Sequence, residues 1–395
     1  MHPDVESELL AALESNVDRP AAPPAADAWQ PPASAYADAT VHASELERLF
    51  HARWIPVART SELAAAGAFR TLDLGSARVA LVRDAAGQVR ALHNVCLHRG
   101  AQILREACGR ADRLRCPYHA LTYGLDGGLE RVPVAESFPT SLQPGTARLA
   151  PIACEERHGF HWVRINAQGP SLDESLGGDL LDELSAWPLD GLEVRMERDV
   201  EADFDWKIGV EAFLEPLHVP AIHGRSAHPV VDFRGMAARE LAPHSRMALP
   251  FRDPDAYGPD GVLGSFAAAA GVQPFEGLNA AQMRAHLVYL VFPSTVWMLF
   301  PNHVLSIVFL PVAPGRCRMQ ARLLTAPATD ATAAAFLDSM TPGYAGLLDE
   351  DVENLPWIQR GLADPSFERC RLSGYETRIA MFWRAYADAM ATPGA

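Results

Sequence analysis

One stretch of the sequence contains two histidines, separated by a proline among other residues, that could bind a metal. In EAFLEPLHVPAIHG, which begins at Glu211, the histidines are His218 and His223, and the proline is Pro220. Five positions on a continuous helix turn about 140°, so both imidazoles could not reach one metal ion from one helix face. An interior proline ends or kinks a helix. We therefore predict that the helix stops at Pro220 and that the chain then brings His223 round toward His218; two unrelated, solvated histidines are the alternative.

A second set of candidate ligands lies earlier in the chain, in NVCLHRGAQ and LRCPYHALTYGLDG. Cys96 and His98 form one pair, and Cys116 and His119 form the other, each in a short turn between apparent β-strands. Two thiolates and two imidazoles suit either a tetrahedral zinc ion or a two-iron cluster in which histidines replace cysteines on one iron. The β-rich setting favours the cluster, because zinc fingers usually carry their histidines on a helix.

Composition and charge exclude several other classes of protein. The 395 residues carry a net charge of −15, which leaves no basic surplus to neutralise the phosphates of a nucleic acid. Six cysteines in so long a chain do not resemble a disulfide framework. The most hydrophobic region, residues 286–311, is interrupted by Pro293 and Pro301, which predicts buried strands and no membrane span. Since the N-terminus lacks a secretory pattern, we expect a cytoplasmic protein without nucleic-acid or membrane partners.

Three regions are predicted to position these residues. Residues 1–43 hold an amphipathic helix over 1–15 followed by a Pro/Ala-rich arm. Residues 44–170 begin with a helix capped by Ser44 and continue as short strands, including a hairpin at Asp84–Gly87. Residues 171–395 mix helices and strands. Helical spacing of Glu211, Glu215 and His218 predicts a polar stripe on one helix face in this last region.

The cysteine and histidine motifs resemble a known domain. CLHRG, from Cys96, followed by CPYHALTYGLDG, from Cys116, closely resembles the Rieske domain of the Rieske non-haem iron oxygenase α subunits, and residues 158–166 resemble its closing strand. The resemblance implies a [2Fe–2S] cluster held by Cys96 and Cys116 on one iron and by His98 and His119 on the other. It also implies an α+β fold class: an all-β Rieske domain plus an α+β catalytic domain with an antiparallel sheet flanked by helices.

The same family places a catalytic iron in the larger domain. A tryptophan-lysine pair followed by two histidines five residues apart marks that iron, and here residues 206–207 precede His218 and His223. Two histidines and one carboxylate leave three positions of Fe(II) open, the facial triad of oxygenases. Alignment on the QRGL run at residues 359–362 implies Asp351 as the carboxylate, with Asp349 as the alternative; an acidic run is otherwise a solvated face.

Glu215 departs from the common pattern of that family. Family members are usually homotrimers in which a carboxylate three residues before the first iron histidine links the iron to the cluster of a neighbouring subunit. That residue is usually aspartate, and here it is Glu215, as in some quaternary-ammonium monooxygenases of the family. The resemblance implies that Glu215 bridges the two centres; a solvated glutamate is the alternative. Glu211 is predicted to share its helix face and to support the ligands.

The resemblance implies an O2-dependent mono- or dioxygenase that hydroxylates or oxidatively dealkylates a small organic substrate. No dinucleotide-binding motif is evident, so electrons must come from an external NAD(P)H-dependent reductase, with or without a ferredoxin. The alternatives are a cis-dihydroxylating aromatic-ring dioxygenase of the same family, a Rieske electron carrier, and a zinc-stapled binding protein. We expect the substrate pocket within residues 224–280 and 286–312, and surface or core roles for the histidines at 228, 244, 286 and 303.

Overall fold

The computed structural model of the chain describes residues 1–17, 22, 31–258 and 260–391. These residues fall into two compact units. One unit spans Leu46–Ser175, and the other combines Met1–Glu45 with the chain from Leu176 onward. The predicted Pro/Ala-rich arm lies outside the described residues from 18 to 30, except for residue 22.

The unit Leu46–Ser175 is built from antiparallel strands. These are β1 (Ile55–Arg59), β2 (Ala68–Leu74), β3 (Ala77–Arg83), β4 (Val89–His93), β5 (Cys108–Arg110), β6 (Leu114–Arg115), β7 (Thr122–Tyr123), β8 (Leu129–Arg131), β9 (Pro151–Arg157) and β10 (Phe160–Arg164). One sheet has the order β1-β10-β9-β4-β3-β2-β5, and a smaller sheet has the order β6-β7-β8. The expected all-β unit is therefore present.

Two turns in this unit show how the sequence directs the hairpins. Asp84 Oδ1 accepts hydrogen bonds from the N–H groups of Ala86 and Gln88, both at 2.9 Å, and Gly87 has a φ of 82°. The predicted hairpin between β3 and β4 is confirmed. The predicted single strand over residues 158–166 is shorter than expected, because His158 and Gly159 both have positive φ and form the turn from β9 to β10.

The other unit combines helices with a large antiparallel sheet. Its helices are α1 (Pro3–Val17), α2 (Ala39–Glu45), α3 (Leu172–Leu176, at the passage from the first unit), α4 (Gly178–Leu184), α5 (Trp206–Ala212), α6 (Val219–Ile222), α7 (Val262–Ala269), α8 (Ala280–Arg284), α9 (Ala331–Ser339), α10 (Thr341–Leu362) and α11 (Thr377–Ala391). Its strands are β11 (Glu193–Ala202), β12 (Ala237–Leu241), β13 (His244–Pro250), β14 (Ala285–Val291), β15 (Thr295–Leu299), β16 (His303–Ala313) and β17 (Arg316–Thr325). The sheet order is β11-β17-β16-β15-β14-β13-β12.

The centre of this sheet is buried on both faces. Every residue of β13, β14 and β15 is buried, and helices α5, α8, α10 and α11 pack against the sheet. Strands covered on both faces carry continuous apolar runs, which explains the hydrophobic stretch 286–311. The predicted strands and the α+β class are confirmed. Among the described residues, no helix has the length and apolar character needed to cross a bilayer.

The helix predicted to begin at Ser44 begins earlier. Helix α2 starts at Ala39, and Asp38 Oδ1 accepts hydrogen bonds from the N–H groups of Thr40 (2.7 Å) and Val41 (3.2 Å). Ser44 lies inside the helix and donates to the Thr40 carbonyl. The prediction of Ser44 as the cap is therefore wrong, because the aspartate at the preceding turn already satisfies the first free N–H groups.

Candidate metal centres

Two loops of the unit Leu46–Ser175 present the predicted cysteine and histidine ligands. They run from Cys96 to Gly100 and from Cys116 to Ala120, and they have the same backbone hydrogen bonds. In each, the N–H of the fifth residue donates to the cysteine carbonyl at 3.0 Å. The fifth residue is left-handed in both, with φ of 75° at Gly100 and 58° at Ala120. The two loops therefore present each Cys–His pair in the same way.

The cysteines of these loops are buried, and the histidines lie nearer the surface. Cys96 and Cys116 are free thiols within a buried hydrophobic cluster. Burial raises the pKa of the Cys96 thiol; the Tyr123 hydroxyl, 3.3 Å from Cys96 Sγ, opposes that rise, and the Cys116 thiol adds to it. The rings of His98 and His119 lie 4.7 Å apart between centroids. Four metal-binding side chains thus converge between the two loops.

These four side chains fit the predicted cluster. The Nδ1 atom of His98 is buried and has no hydrogen-bond partner among the described residues. Buried thiols are poor nucleophiles and ligands until a positive centre stabilises the thiolate, and a two-iron cluster supplies that charge. Cys96, Cys116, His98 and His119 are therefore able to hold a [2Fe–2S] cluster.

In the other unit, His218, His223 and Asp351 converge. One ligand atom from each lies within 4.8 Å of the others. Asp351 Oδ1 is 3.1 Å from His223 Nε2 and 3.8 Å from His218 Nε2. Asp351 is only 4% exposed, and its Oδ2 has no hydrogen-bond partner in the described part of the chain. A buried carboxylate with an unpaired oxygen is costly without a cation, so these three residues suit a divalent metal ion.

The segment that carries the two histidines differs from the predicted interrupted helix. Helix α5 ends at Ala212, and His218 and His223 cap the two ends of the short helix α6. Pro220 lies in the first turn of α6, where a proline has no helical hydrogen bond to lose. The prediction that Pro220 stops a helix is therefore wrong, because this proline starts one. The single turn of α6 leaves the two rings 5.1 Å apart between centroids.

Because α5 ends at Ala212, the predicted polar stripe does not form. The Glu211 carboxylate accepts hydrogen bonds from the Tyr36 hydroxyl at 2.8 Å and from Trp383 Nε1 at 2.6 Å. Burial raises the pKa of Glu211 to about 7, although these two hydrogen bonds oppose the rise. The prediction that Glu211 shares a face with Glu215 and supports the metal ligands is wrong.

Helix α10 directs three consecutive acidic residues to different partners. Asp349 forms an ion pair with Arg198, Glu350 Oε2 lies 2.7 Å from His223 Nδ1, and Asp351 Oδ1 faces His223 Nε2. Successive residues of an α-helix are about 100° apart around its axis. The structure therefore brings Asp351 to the histidines and leaves Asp349, the alternative, on another face.

Each histidine of the cluster has a second carboxylate on its other ring nitrogen. Glu215 Oε1 lies 2.6 Å from His218 Nδ1, as Glu350 lies against His223 Nδ1. A carboxylate accepts from N–H, so Nδ1 of each ring carries a proton, and a metal would bind at Nε2 in place of any proton there. Burial alone would lower the pKa of His223, but Asp351 and Glu350 outweigh it and the pKa is raised. Sequence reasoning missed Glu350, whose only signal was its position beside Asp351.

A cavity of about 360 Å³ adjoins this cluster. A smaller pocket of about 50 Å³ contains His218, His223 and Asp351. The two spaces share part of their walls, so a molecule in the cavity lies next to the three candidate ligands. The shared wall residues are Ala227, Val231, His286, Met298 and Leu347.

The cavity wall agrees only in part with the sequence prediction. It includes residues from the expected ranges, but also residues 336–347 of α9 and α10, which were not expected. His286 and His303 are both buried, as the predicted core role requires, and they also line the cavity. Each stands alone at the start of an apolar strand, where the sequence offers no sign of a cavity.

Comparison with protein families identifies the chain. The profile of the family described as ring hydroxylating alpha subunit (catalytic domain) matches residues 189–392. The chain belongs to this family. The profile of the Rieske [2Fe–2S] domain matches residues 53–143 of the chain. The predicted family, its fold class and its pair of cofactors, a Rieske cluster and a mononuclear iron, are confirmed.

Known relatives match about half of this α subunit. The glycine betaine monooxygenase oxygenase subunit of Chromohalobacter salexigens is 29% identical over 228 residues, which are 55% of this chain and 51% of that protein. The carnitine monooxygenase oxygenase subunit of Escherichia coli K12 is 33% identical over 208 residues, 52% of this chain and 55% of that protein. The chain thus spans about half the length of the curated relatives it matches. The crystal structure of a quaternary ammonium Rieske monooxygenase has the same fold, with a TM-score of 0.78 at 22% identity over 92% of this chain and 95% of that one.

Proposed function

We propose that this α subunit is the oxygenase component of a Rieske non-haem iron oxygenase that hydroxylates or oxidatively dealkylates a small organic substrate. The observation that carries the proposal is the cluster of His218, His223 and Asp351 beside a cavity of about 360 Å³. Two histidines and one carboxylate leave metal positions open for O2. The cavity supplies space for a substrate next to those positions.

We assign the ligands of both metal centres on the same grounds. Cys96 and Cys116 would hold one iron of the cluster, and His98 and His119 would hold the other. His218, His223 and Asp351 would hold the mononuclear Fe(II) through the two Nε2 atoms and a carboxylate oxygen. When bound, the two centres supply single electrons and O2 activation, respectively. We further propose the domain limits 1–43, 44–170 and 171–395.

The protein's own part in this chemistry is to orient ligands and to exclude water. Glu215 and Glu350 hold the His218 and His223 rings by their Nδ1 atoms, so each Nε2 is directed toward Asp351. The largely apolar wall of the cavity disfavours water beside the residues that would hold the metal. Both functions depend on α6 and α10, which carry the ligands on fixed elements.

Glu215 is the residue that we propose couples the two centres. Its carboxylate already contacts His218, and its side chain is only 11% exposed. In a homotrimer, the same carboxylate would lie against a cluster histidine of the neighbouring subunit. Electrons would reach the cluster from an external NAD(P)H-dependent reductase, with or without a ferredoxin. The relatives named above act on glycine betaine and carnitine, which supports N-dealkylation or hydroxylation of a small molecule here.

Metal analysis combined with product analysis tests this proposal. The purified protein should be red-brown and contain both cluster iron and mononuclear iron. With a generic reductase, NADH and O2, it should convert a member of a panel of aromatic, alkylammonium and alicyclic compounds. The products separate monohydroxylation, dealkylation and cis-dihydroxylation. A colourless protein would favour a zinc site, and a coloured protein without mononuclear iron would favour an electron carrier.

Two substitutions make this test specific to the assigned residues. His218→Ala and Asp351→Ala should remove the mononuclear iron while the visible absorption of the cluster persists. Asp349→Ala is the control, since Asp349 is paired with Arg198 and faces away from the histidines. Retention of mononuclear iron in Asp351→Ala, or its loss in Asp349→Ala, would contradict the ligand assignment. Glu215→Ala should keep the cluster and, at saturating Fe(II), the mononuclear iron, yet lose product formation; near-normal product formation would refute the coupling role.

A further inference from the structure

His286 has ring nitrogens without hydrogen-bond partners although it is buried. The residue is 4% exposed, and neither Nδ1 nor Nε2 contacts a donor or acceptor among the described residues. Burial lowers the pKa of His286 to about 3, so the ring is neutral near pH 7 and has one N–H donor and one acceptor. Buried polar groups in native proteins are nearly always paired. An unpaired buried imidazole therefore indicates a missing ligand or water.

The position of His286 indicates where that ligand would lie. Its side chain lines both the 360 Å³ cavity and the small pocket that contains His218, His223 and Asp351. The ring packs edge to face against Phe300, with 4.7 Å between centroids, which holds its orientation. A molecule in the cavity is thus within reach of His286 while it borders the candidate iron ligands.

The second histidine of the cavity wall, His303, is already paired. Asn302 Oδ1 lies 2.6 Å from His303 Nδ1, and His303 Nε2 is hydrogen-bonded to the Tyr344 hydroxyl. Because a carbonyl oxygen only accepts, His303 donates from Nδ1 and Tyr344 donates to Nε2. Burial lowers the pKa of His303 to about 3, and the neighbouring His286 adds to this. This neutral chain of hydrogen bonds occupies both ring nitrogens of His303, whereas neither ring nitrogen of His286 has a partner among the described residues.

The cavity offers no charge to a ligand. Among the described residues that line it, none is aspartate, glutamate, lysine or arginine. The carboxylates behind the wall already have partners: Asp351 and Glu215 belong to the small pocket and face the histidines, and Glu350 accepts a hydrogen bond from Ser226 of the cavity wall. Transfer of an unpaired charge from water into such an apolar space is strongly unfavourable. The wall therefore offers no ion-pair partner to a charged ligand, and only its aromatic rings offset part of that cost for a cation.

We propose that the substrate is an uncharged, largely apolar organic molecule whose polar group hydrogen-bonds to His286. This contact would orient the bond to be oxidised toward His218, His223 and Asp351. The inference rests on the proposed function, because it assigns the substrate class of the same site. It makes His286 a positioning and specificity-determining residue.

Pairs of ligands that differ only in charge test the substrate class. 3-tert-Butylphenol and 3-hydroxyphenyltrimethylammonium share shape and hydroxyl group, as do 3,3-dimethylbutan-1-ol and choline. Each is titrated calorimetrically into the metal-loaded protein without O2. In each pair that binds, the uncharged member should bind at least about tenfold more tightly. Equal or tighter binding of the charged member, or binding of no uncharged member, would overturn the inference.

Substitution of His286 tests the contact itself. Wild-type protein should bind 3-tert-butylphenol more tightly than tert-butylbenzene, which lacks the hydroxyl. His286→Leu should abolish that difference, and His286→Gln, which keeps a donor and an acceptor, should retain much of it. The melting temperature and both metal contents verify that each variant is folded. A hydroxyl preference that persists in His286→Leu would refute the role of His286.

The same samples separate this inference from the proposed function. Absence of mononuclear iron, or of any O2-dependent product, would refute the oxygenase proposal whatever ligand binds. A protein that holds both metals and oxidises only the charged members of the pairs would refute the uncharged-substrate inference and leave the oxygenase proposal standing.

Discussion

Glu350 offers a quantitative test of how the iron site is held together. Its Oε2 lies 2.7 Å from His223 Nδ1 and accepts a 2.5 Å hydrogen bond from Ser226. Both bonds lower the pKa of Glu350, so the carboxylate is ionised near pH 7. Glu350→Gln keeps an oxygen acceptor and removes the negative charge. The His223 ring would then be held by a neutral hydrogen bond, which is about half as strong as a charge-assisted one.

The expected loss of iron affinity follows from this contact. Removal of a carboxylate behind a histidine ligand typically lowers metal affinity by about 10- to 100-fold. The Glu350 side chain is 35% exposed, so solvent screening places the effect at the lower end. We expect an approximately tenfold loss, which corresponds to about 1.4 kcal/mol.

A chelator competition under anaerobic conditions measures this loss, with Fe(II) as the metal and the cluster absorption as an internal check of folding. Glu353→Gln is the matched control, because Glu353 is exposed on the same helix and the substitution removes the same charge. Equal affinities for Glu350→Gln and Glu353→Gln, with cluster absorption retained in both, would refute the reasoning.

Three further predictions concern other parts of the chain. Glu45→Ala should lower the free energy of unfolding by about 3 kcal/mol in urea titrations, since the buried Glu45 carboxylate accepts hydrogen bonds from Lys207 (2.6 Å), Trp206 Nε1 (2.9 Å) and the Tyr386 hydroxyl (2.6 Å), while Asp205 still pairs with Lys207; a loss below about 1 kcal/mol, typical of exposed ion pairs, would contradict this. Cys96→Ser should abolish the visible absorption of the cluster, whereas Cys108→Ser, at an exposed thiol, should keep it. Burial raises the pKa of Glu211 to about 7 from an ordinary 4.5, so the folded protein binds an extra proton between these values and loses stability as pH rises through them. The stability of Glu211→Gln relative to wild type should therefore be higher at pH 8 than at pH 5. The same difference in free energy of unfolding between the two proteins at both pH values would contradict this prediction.

The sequence predicts local metal-binding patterns better than it predicts side-chain directions. The Cys96 and Cys116 loops are short, so their spacing alone brings each cysteine close to its histidine. The pairing of Asp351 with His218 joins residues far apart in sequence, and only the family resemblance indicated it. Glu211 was misplaced because the helical spacing assumed one continuous helix, whereas α5 ends at Ala212.

The sequence indicated residues 224–280 and 286–312 as the cavity wall but not the contribution of residues 336–347, nor which strand residues face the cavity. His286 and His303 begin two apolar strands, and such a position is compatible with a packed core. Their access to the cavity depends on how α9 and α10 lie over β14 and β16, which no local pattern specifies. The two histidines differ in their hydrogen bonds, which the residue type does not reveal. His303 is hydrogen-bonded to Asn302 and Tyr344, whereas His286 has no such partner among the described residues.

Because the acidic residues of α10 lie on different faces of the helix, insertions and deletions in this segment are restricted in evolution. Gln359, two turns after Asp351 on the same helix, accepts a hydrogen bond from the Asp205 N–H at 2.7 Å. One inserted or deleted residue between Asp351 and Gln359 would rotate one end of the helix by about 100° relative to the other. Either the iron ligand or the contact with Asp205 would then be lost. Descendants of this sequence should therefore vary here by substitution and keep the number of residues constant.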